Sequence, residues 1–564
     1  MPIIQISVWM ILQILHIVDI LTWGVENLVI HSPTIQHLTT QMIWLGPWWT
    51  QSLRSNSIKT VKTFCRKEST WERLKKSTRK PKITALSTEI KKTSQGKYFE
   101  HDYSVRPHTY SYIIEENKEA FDRYPLVDVK HLSKLQQRPR KVKMLARDFM
   151  DDSLYNPNYG YFSKEVEIFT PTRPFDYNEI SGEDDFMMQW TKEYREYNKR
   201  PNLDTTEEQL APSGSKSRAV SRVSRQLWHT PTELFQPHYG EALARYLLVN
   251  YKLSLYPYSD LIIYEMGGGN GTLMINILDY IRDTQPDVYS RTRYNIVEIS
   301  TQLADKQISS LQKRVHGTGH SDKVQIINKS IFNWDTVVPE PCFFIALEVF
   351  DNFAHDVIRY DNNSLAPYQG YVVIDEYGDF KEIYNPKLDS WAQKFLTLRD
   401  RLDYTPSWEL GYHPLAQPLH LRRLKNMLWP FRGDLSDPEY IPTRYLEFLY
   451  LLKRCFPEHR ILTSDFTHFS ERISGYNSPV VQTVLNKAMI PVSTYMVLQG
   501  FFDIMFPTDF DLISDLYKKV CGKEVTTCSH SEFMETWAEI DQTKTRSGDN
   551  PLLSFYKNAA FMYS

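Results

Sequence analysis

The rhythm of hydrophobic and polar positions changes several times along the chain. After Lys141, Met144, Leu145, Phe149 and Leu154 fall at helical spacing, and Asn156-Pro157-Asn158-Tyr159-Gly160 marks a turn. A longer helix is predicted from about Pro237 to Asn250, with Ala242, Ala244, Leu247 and Leu248 among its apolar positions. From Leu261 short apolar runs take over: Leu261–Tyr264, Tyr294–Val297, Val324–Ile327 and Cys342–Leu347. Amphipathic stretches separate the first three, marked by Leu273, Ile277, Leu278 and Ile281, then by Leu303, Ile308 and Leu311. Such runs suit strands buried on both faces. Helices between them imply right-handed crossovers and a doubly wound parallel sheet, hence an α/β fold. Tyr371–Ile374 and Phe380–Tyr384, joined through Tyr377-Gly378-Asp379, predict an added hairpin. Helical sequence around 390–455 precedes a late strand, Arg460–Ser464, ended by Asp465.

Composition changes this picture little. The 564 residues are 41% hydrophobic and 24% charged, which excludes collagen-like and wholly disordered chains. Charge is more informative. Residues 1–150 carry 24 basic and 13 acidic side chains, leaving 42 against 55 for the rest. An acidic body argues against an extended nucleic-acid groove, so no direct nucleic-acid partner is expected. It suits a small cofactor or a cationic protein segment. The five cysteines are mostly isolated, as in a reducing compartment. Cys521 and Cys528 with His530 lack an evident fourth ligand and a common zinc spacing, so no metal site is expected.

The front of the chain reads as an address. Ile3–Val18 is uncharged, but Gln5, Gln13 and His16 lie within it and no basic residue precedes it. A second start is available at Met42, followed by Arg54, Lys59, Lys62, Arg66 and Lys67 with Ser and Thr between them and no acid before Glu68. That is the composition of a mitochondrial transit peptide. Residues 1–41 are therefore read as an over-extended start, with membrane association expected only if residues 1–31 are genuine. Residues 42–140 are read as targeting segment and flexible, disordered basic lead-in, 141–520 as the catalytic domain, and 521–564 as a C-terminal extension. Residues 165–228, with the linker-like Ala211–Arg218, are read as an insertion.

Candidate chemistry gathers at the carboxyl ends of the predicted strands, where open parallel sheets bind ligands. Gly267-x-Gly269-x-Gly271 follows the first strand and opens a helix, whose N-terminus offers unpaired N–H groups. Glu298 closes the second strand, where a carboxylate can accept both hydroxyl hydrogens of a ribose. This pair alone leaves NAD and S-adenosylmethionine both open. Two details favour the methyl donor: Glu265 stands two residues before the glycines, where it can face an ammonium group, and the spacing is G-x-G-x-G. Glu348 and Asp351 follow the fourth strand. A guanidinium stays protonated near neutral pH, so its methylation needs carboxylates that hold it and localise its charge. Glu348 and Asp351 are the candidates for that work; helix capping and solvated loop acids are their structural alternatives.

Five blocks in order carry a resemblance: Asn156-Pro157-x-Tyr159-Gly160-Tyr161; Thr230-Pro231-x-Glu233 with Gly240-Glu241; Glu265 through Leu273; Val297-Glu298-Ile299-Ser300; and Glu348-x-x-Asp351. Together they make the chain resemble the MidA-like family of mitochondrial protein arginine methyltransferases. The resemblance covers about residues 141–510. It implies a class I, Rossmann-like methyltransferase fold, S-adenosylmethionine as cofactor, a protein substrate with an exposed arginine, a symmetric dimethylarginine product, a mitochondrial matrix location and a link to respiratory-complex assembly. Two blocks depart from the family: Gly267-Gly268-Gly269-Asn270-Gly271 replaces Gly-Pro-Gly-Arg-Gly, and Asn352-Phe353-Ala354 replaces Ala-Leu-Pro. The expected alternative is a non-catalytic assembly factor on the same fold, serving a respiratory complex or the mitochondrial ribosome. A nicotinamide-dependent oxidoreductase fits the glycine spacing poorly.

Overall fold

A computed structural model describes residues 111–113, 118–119, 121–164, 166–198, 226–318, 320–362, 364–402, 435–470, 477–485 and 488–564. The readings of residues 1–41 and of the basic segment after Arg54 lie outside these. Among the described residues no helix is long and apolar enough to cross a membrane.

The predicted apolar runs are strands: β1 (Leu261–Met266), β2 (Thr292–Glu298), β3 (Val324–Asn328), β4 (Cys342–Leu347) and β5 (His459–Phe466). They pair in parallel, in the order 5-4-1-2-3. Two late strands complete the sheet. β6 (Thr526–Ser529) lies at the edge, and β7 (Ala559–Tyr563) runs antiparallel between it and β5. A doubly wound sheet with one reversed strand beside β5 is the class I methyltransferase arrangement. Residues 521–564 therefore differ from the expected extension: they supply two strands of the central sheet.

Both faces are covered, which is why the strand sequences are continuously apolar. Ile263, Phe343, Ile345 and Phe561 pack against helices α1 (His238–Ser254) and α2 (Thr272–Thr284). Ile262, Phe344, Ala346 and Met562, one position out of phase, face α4 (Thr443–Cys455) and α5 (Phe510–Cys521), while α3 (Thr301–Thr318) links β2 to β3. Each fully buried Phe or Ile removes apolar surface worth roughly 1.5–3 kcal/mol.

Long excursions at the carboxyl ends of β4 and β5 build the other side of the site. After β4 come strands Asp356–Tyr360, Pro367–Ile374, Phe380–Asn385 and Glu439–Ile441; after β5 come Val480–Leu485, Ala488–Val492 and Asp503–Met505. Pro367–Ile374 and Phe380–Asn385 are the predicted hairpin. The helix expected from Met144 begins later. Val142–Leu145 is a strand paired with Tyr371–Ile374, and the helix is Ala146–Tyr155, because Met144 and Leu145 find a sheet edge to bury against. Two further segments also differ from expectation. Ser111–Ile113, within the expected lead-in, pairs with Glu382–Tyr384. Within 165–228, Tyr177 and Phe186 join the core beside α1, and Val166–Ile168 pairs with Gln226–Trp228.

Candidate active site

A cleft of about 1370 Å³ opens over the carboxyl ends of β1, β2 and β4. At one end lies the glycine loop. Gly267 and Gly269 have φ of +75° and +52°, and a Cβ on Gly269 would come within 3.0 Å of Ile168 Cδ1, so backbone conformation and close approach both require glycine there. Gly271 caps α2. Asn270 and Thr272 donate to Glu233 Oε1 at 3.2 and 2.7 Å, and Asn270 also donates to Thr170 Oγ1 at 3.0 Å. These bonds give the Thr230-Pro231-x-Glu233 block its physical purpose: it anchors the loop.

Glu298 is buried at the end of β2 and lines the cleft. Its carboxylate accepts from the Ser300 N–H at 2.9 Å and from Gln307 Nε2 at 3.1 Å. The same Gln307 amide donates to the Gly269 carbonyl at 2.9 Å, tying the loop to the acid. Burial pushes the Glu298 carboxyl up to about 7. Glu265 sits differently from the expected position facing the cleft. It accepts from the Tyr294 hydroxyl at 2.9 Å, is buried between β1 and β2, and is not among the lining residues. Burial raises its carboxyl to about 7 as well.

Glu348 and Asp351 meet at the other end. Glu348 leaves β4 with φ +52°, uncommon for a residue with a side chain, and its N–H donates to the Ser464 carbonyl at 2.8 Å. The turn is held by Asp465 at the end of β5, whose carboxylate accepts the N–H groups of Phe350, Asp351 and Phe466 at 2.8, 3.1 and 2.7 Å. Asp351 Oδ1 is buried without a hydrogen-bond partner. Asn352 Nδ2 donates to Asp503 Oδ1 at 2.9 Å, and the Tyr155 hydroxyl donates to the Asn352 carbonyl at 3.1 Å. Burial, reinforced by Asp465, raises the Glu348 carboxyl well above its ordinary range; burial, reinforced by Asp465, Asp503 and Glu348, does the same to Asp351. Asp465 and Asp503 are pushed by burial to about 7.

The adjoining wall comes from Ala146–Tyr155 and α4. There Arg444 pairs with Asp151 and, at 3.3 Å, with Asp148, while Arg147 pairs with Asp356 and, at 2.6 Å, with Asp389. The Asn156 block shapes the lip of this wall: Asn156 donates to Asp152 at 2.8 Å and to the Leu132 carbonyl at 2.9 Å. A Cβ on Gly160 would fall 2.4 Å from the Asn156 nitrogen.

Five of the sequence-predicted residues thus line one cleft: Gly267, Gly269, Glu298, Glu348 and Asp351. Gly271 supports it from the helix cap, and Glu265 lies behind it. Gln307, Tyr155, Asn352, Asp465 and Asp503 were missed. A signal existed for Asp465, the acid closing a predicted strand. None existed for Asp503, about 150 residues beyond the loop it faces.

A doubly wound sheet with a reversed strand, a glycine loop opening a helix and an acid ending the neighbouring strand define the class: a class I methyltransferase. Comparison with known sequences gives the family. A model of S-adenosyl-L-methionine-dependent methyltransferases matches residues 242–529, and the chain belongs to that family. Two relatives are each named mitochondrial protein arginine methyltransferase NDUFAF7 homolog. The Schizosaccharomyces pombe protein is 26% identical over 306 residues, 53% of this chain and 64% of its own length. The Saccharomyces cerevisiae protein is 24% identical over 351 residues, 58% of this chain and 77% of its own. The chain thus spans slightly under two thirds of the first. A Burkholderia thailandensis structure with bound S-adenosyl-homocysteine aligns over 75% of this chain and 88% of its own, with TM-score 0.46 and 14% identity.

Proposed function

We propose that this protein transfers methyl groups from S-adenosylmethionine to arginine side chains of a protein substrate in mitochondria. The observation that carries the reading is the pair Glu348 and Asp351, which line the same cleft as the glycine loop, with one buried Asp351 oxygen unpartnered. The names of both yeast relatives support it. The matrix compartment, the symmetric dimethylarginine product and the link to respiratory-complex assembly rest on the family resemblance.

The residues present fit the donor. Gly267 and Gly269 leave room for close backbone approach, the N-terminus of α2 offers N–H groups, and Glu298 faces the cleft with oxygens that can take ribose hydroxyls. When bound, the donor supplies a methyl group whose carbon–sulfur bond breaks as a nitrogen–carbon bond forms. Glu348 and Asp351 hold the guanidinium through charge-assisted hydrogen bonds and draw its charge away from the nitrogen that reacts. That nitrogen gives up one proton. A carboxylate of the pair takes it and passes it to solvent, so the methylated guanidinium remains a cation.

The test is labelled methyl transfer by the purified protein into mitochondrial extract, followed by amino-acid analysis. Label in symmetric dimethylarginine is expected. Label in another residue type, or none, would overturn the arginine reading.

A further inference from the structure

Two groups of acids at and beside the cleft differ in their partners. Asp148 and Asp151 are matched by Arg444, and Asp356 and Asp389 by Arg147. Among the described residues no Lys or Arg pairs with Glu348, Asp351 or Asp503, though all three line the same cleft. A carboxylate withdrawn from water without a cation is costly, so a site with three of them is built for a cation that arrives from outside. Asp351 Oδ1, buried and unpartnered, points to the same missing donor.

Glu348 and Asp351 share one loop, but Asp503 comes from Asp503–Met505, a strand of the small sheet paired with Val480–Gln482. Asn352 orients it through the 2.9 Å bond to Oδ1, and the Phe506 N–H donates to the Asp351 carbonyl at 2.7 Å, so strand and loop are locked together. The departure at Asn352 from the family pattern is therefore coupled to a carboxylate in a distant segment. A guanidinium has five N–H donors spread over a planar fork and can serve acceptors from two elements at once; an ammonium concentrates three donors at one point.

We propose that Asp503 is a third acceptor-binding residue, held in place by Asn352, that makes the site selective for a fork-shaped cation over a compact one. This rests on the arginine reading above.

The test uses the full chain and two inhibitors of labelled transfer into mitochondrial extract, ethylguanidinium and n-butylammonium. Wild type should be inhibited more strongly by ethylguanidinium. Asp503→Asn keeps an oxygen for the Asn352 bond and removes the charge. It should raise the inhibition constant for ethylguanidinium about tenfold or more, erase most of the preference over n-butylammonium, and leave calorimetric donor affinity unchanged. Asp503→Glu should restore part of the preference. Asn352→Ala, which releases Asp503 without touching its charge, should shift the constant in the same direction by less. Unchanged ethylguanidinium inhibition in Asp503→Asn, or donor affinity falling in parallel with it, overturns the proposal. Wild-type label outside arginine together with no wild-type preference for ethylguanidinium shows instead that the arginine reading itself has failed.

Discussion

The two ends of the cleft are assembled in different ways. The proposed donor end is local: Gly267, Gly269, Glu298 and Gln307 sit within one strand–helix–strand–helix stretch, and Gln307 bonds to both the loop and the acid. The proposed acceptor end is gathered from afar. Tyr155 precedes the sheet, Glu348 and Asp351 follow β4, Asp465 ends β5 and Asp503 lies in a later excursion. One end can be kept by a single motif and the other cannot. Substrate choice can therefore drift through distant insertions while the donor site stays intact, in keeping with glycines that survive beside an altered Asn352 block.

The largest expected effect breaks the donor end. Gly269→Val places a branched side chain at φ +52° and against Ile168, so calorimetry on a variant with unchanged circular dichroism should detect no donor binding. Normal affinity there would detach the loop from the donor site. Glu348→Gln separates the two ends. Donor affinity should barely move, whereas methyl transfer should fall by roughly 30- to several-thousandfold, because an unpaired cation in a desolvated site costs about 2–5 kcal/mol. Equal losses in both measurements would mean that the ends are not independent. If cells lacking the protein recover respiration with this inactive variant, the fold serves as an assembly platform and its chemistry is dispensable.

A smaller effect sharpens the donor side. Glu298→Ala should weaken the donor roughly ten- to hundredfold for each charge-assisted hydrogen bond it removes, at ~1.5–3 kcal/mol per bond. The wild-type pH profile gives an independent check. The carboxyl titrates at about 7 and only its ionised form accepts two hydroxyl hydrogens, so affinity should rise about tenfold per pH unit below 7 and level off above pH of about 8. Glu298→Ala should flatten that slope; a wild-type profile without it would place the ribose elsewhere. The smallest change is Gln307→Met. Losing one amide that bridges Gly269 and Glu298 should cost donor affinity roughly two- to twelvefold. The titration seen in donor binding should move upward as the carboxylate loses a donor. An unmoved profile would make Gln307 a packing residue.

The placement of the glycines and Glu298 at one cleft was legible without coordinates because its determinants are short-range. Leu261–Met266 reads as a buried strand, glycines need no tertiary context to signal a turn with positive φ, and Glu298 is marked by its place at the end of an apolar run. The order of apolar runs and helical stretches was enough to specify a parallel doubly wound sheet, since crossover handedness leaves few alternatives.

Tertiary structure decided the rest. Glu265 has the right spacing to face a ligand, but the Tyr294 hydroxyl on the neighbouring strand takes its carboxylate into the core. Residues 521–564 look like an appendage until the unpaired edge of β5 gives their strands a partner. Asp465 holds the Glu348 turn through the backbone N–H groups of Phe350 and Asp351, and Asp503 reaches the same space through pairing with Val480–Gln482. These contacts depend on which strand edges remain open after the central sheet has formed. Local periodicity carries information about elements and the acids at their ends; it carries none about which distant elements will share an edge.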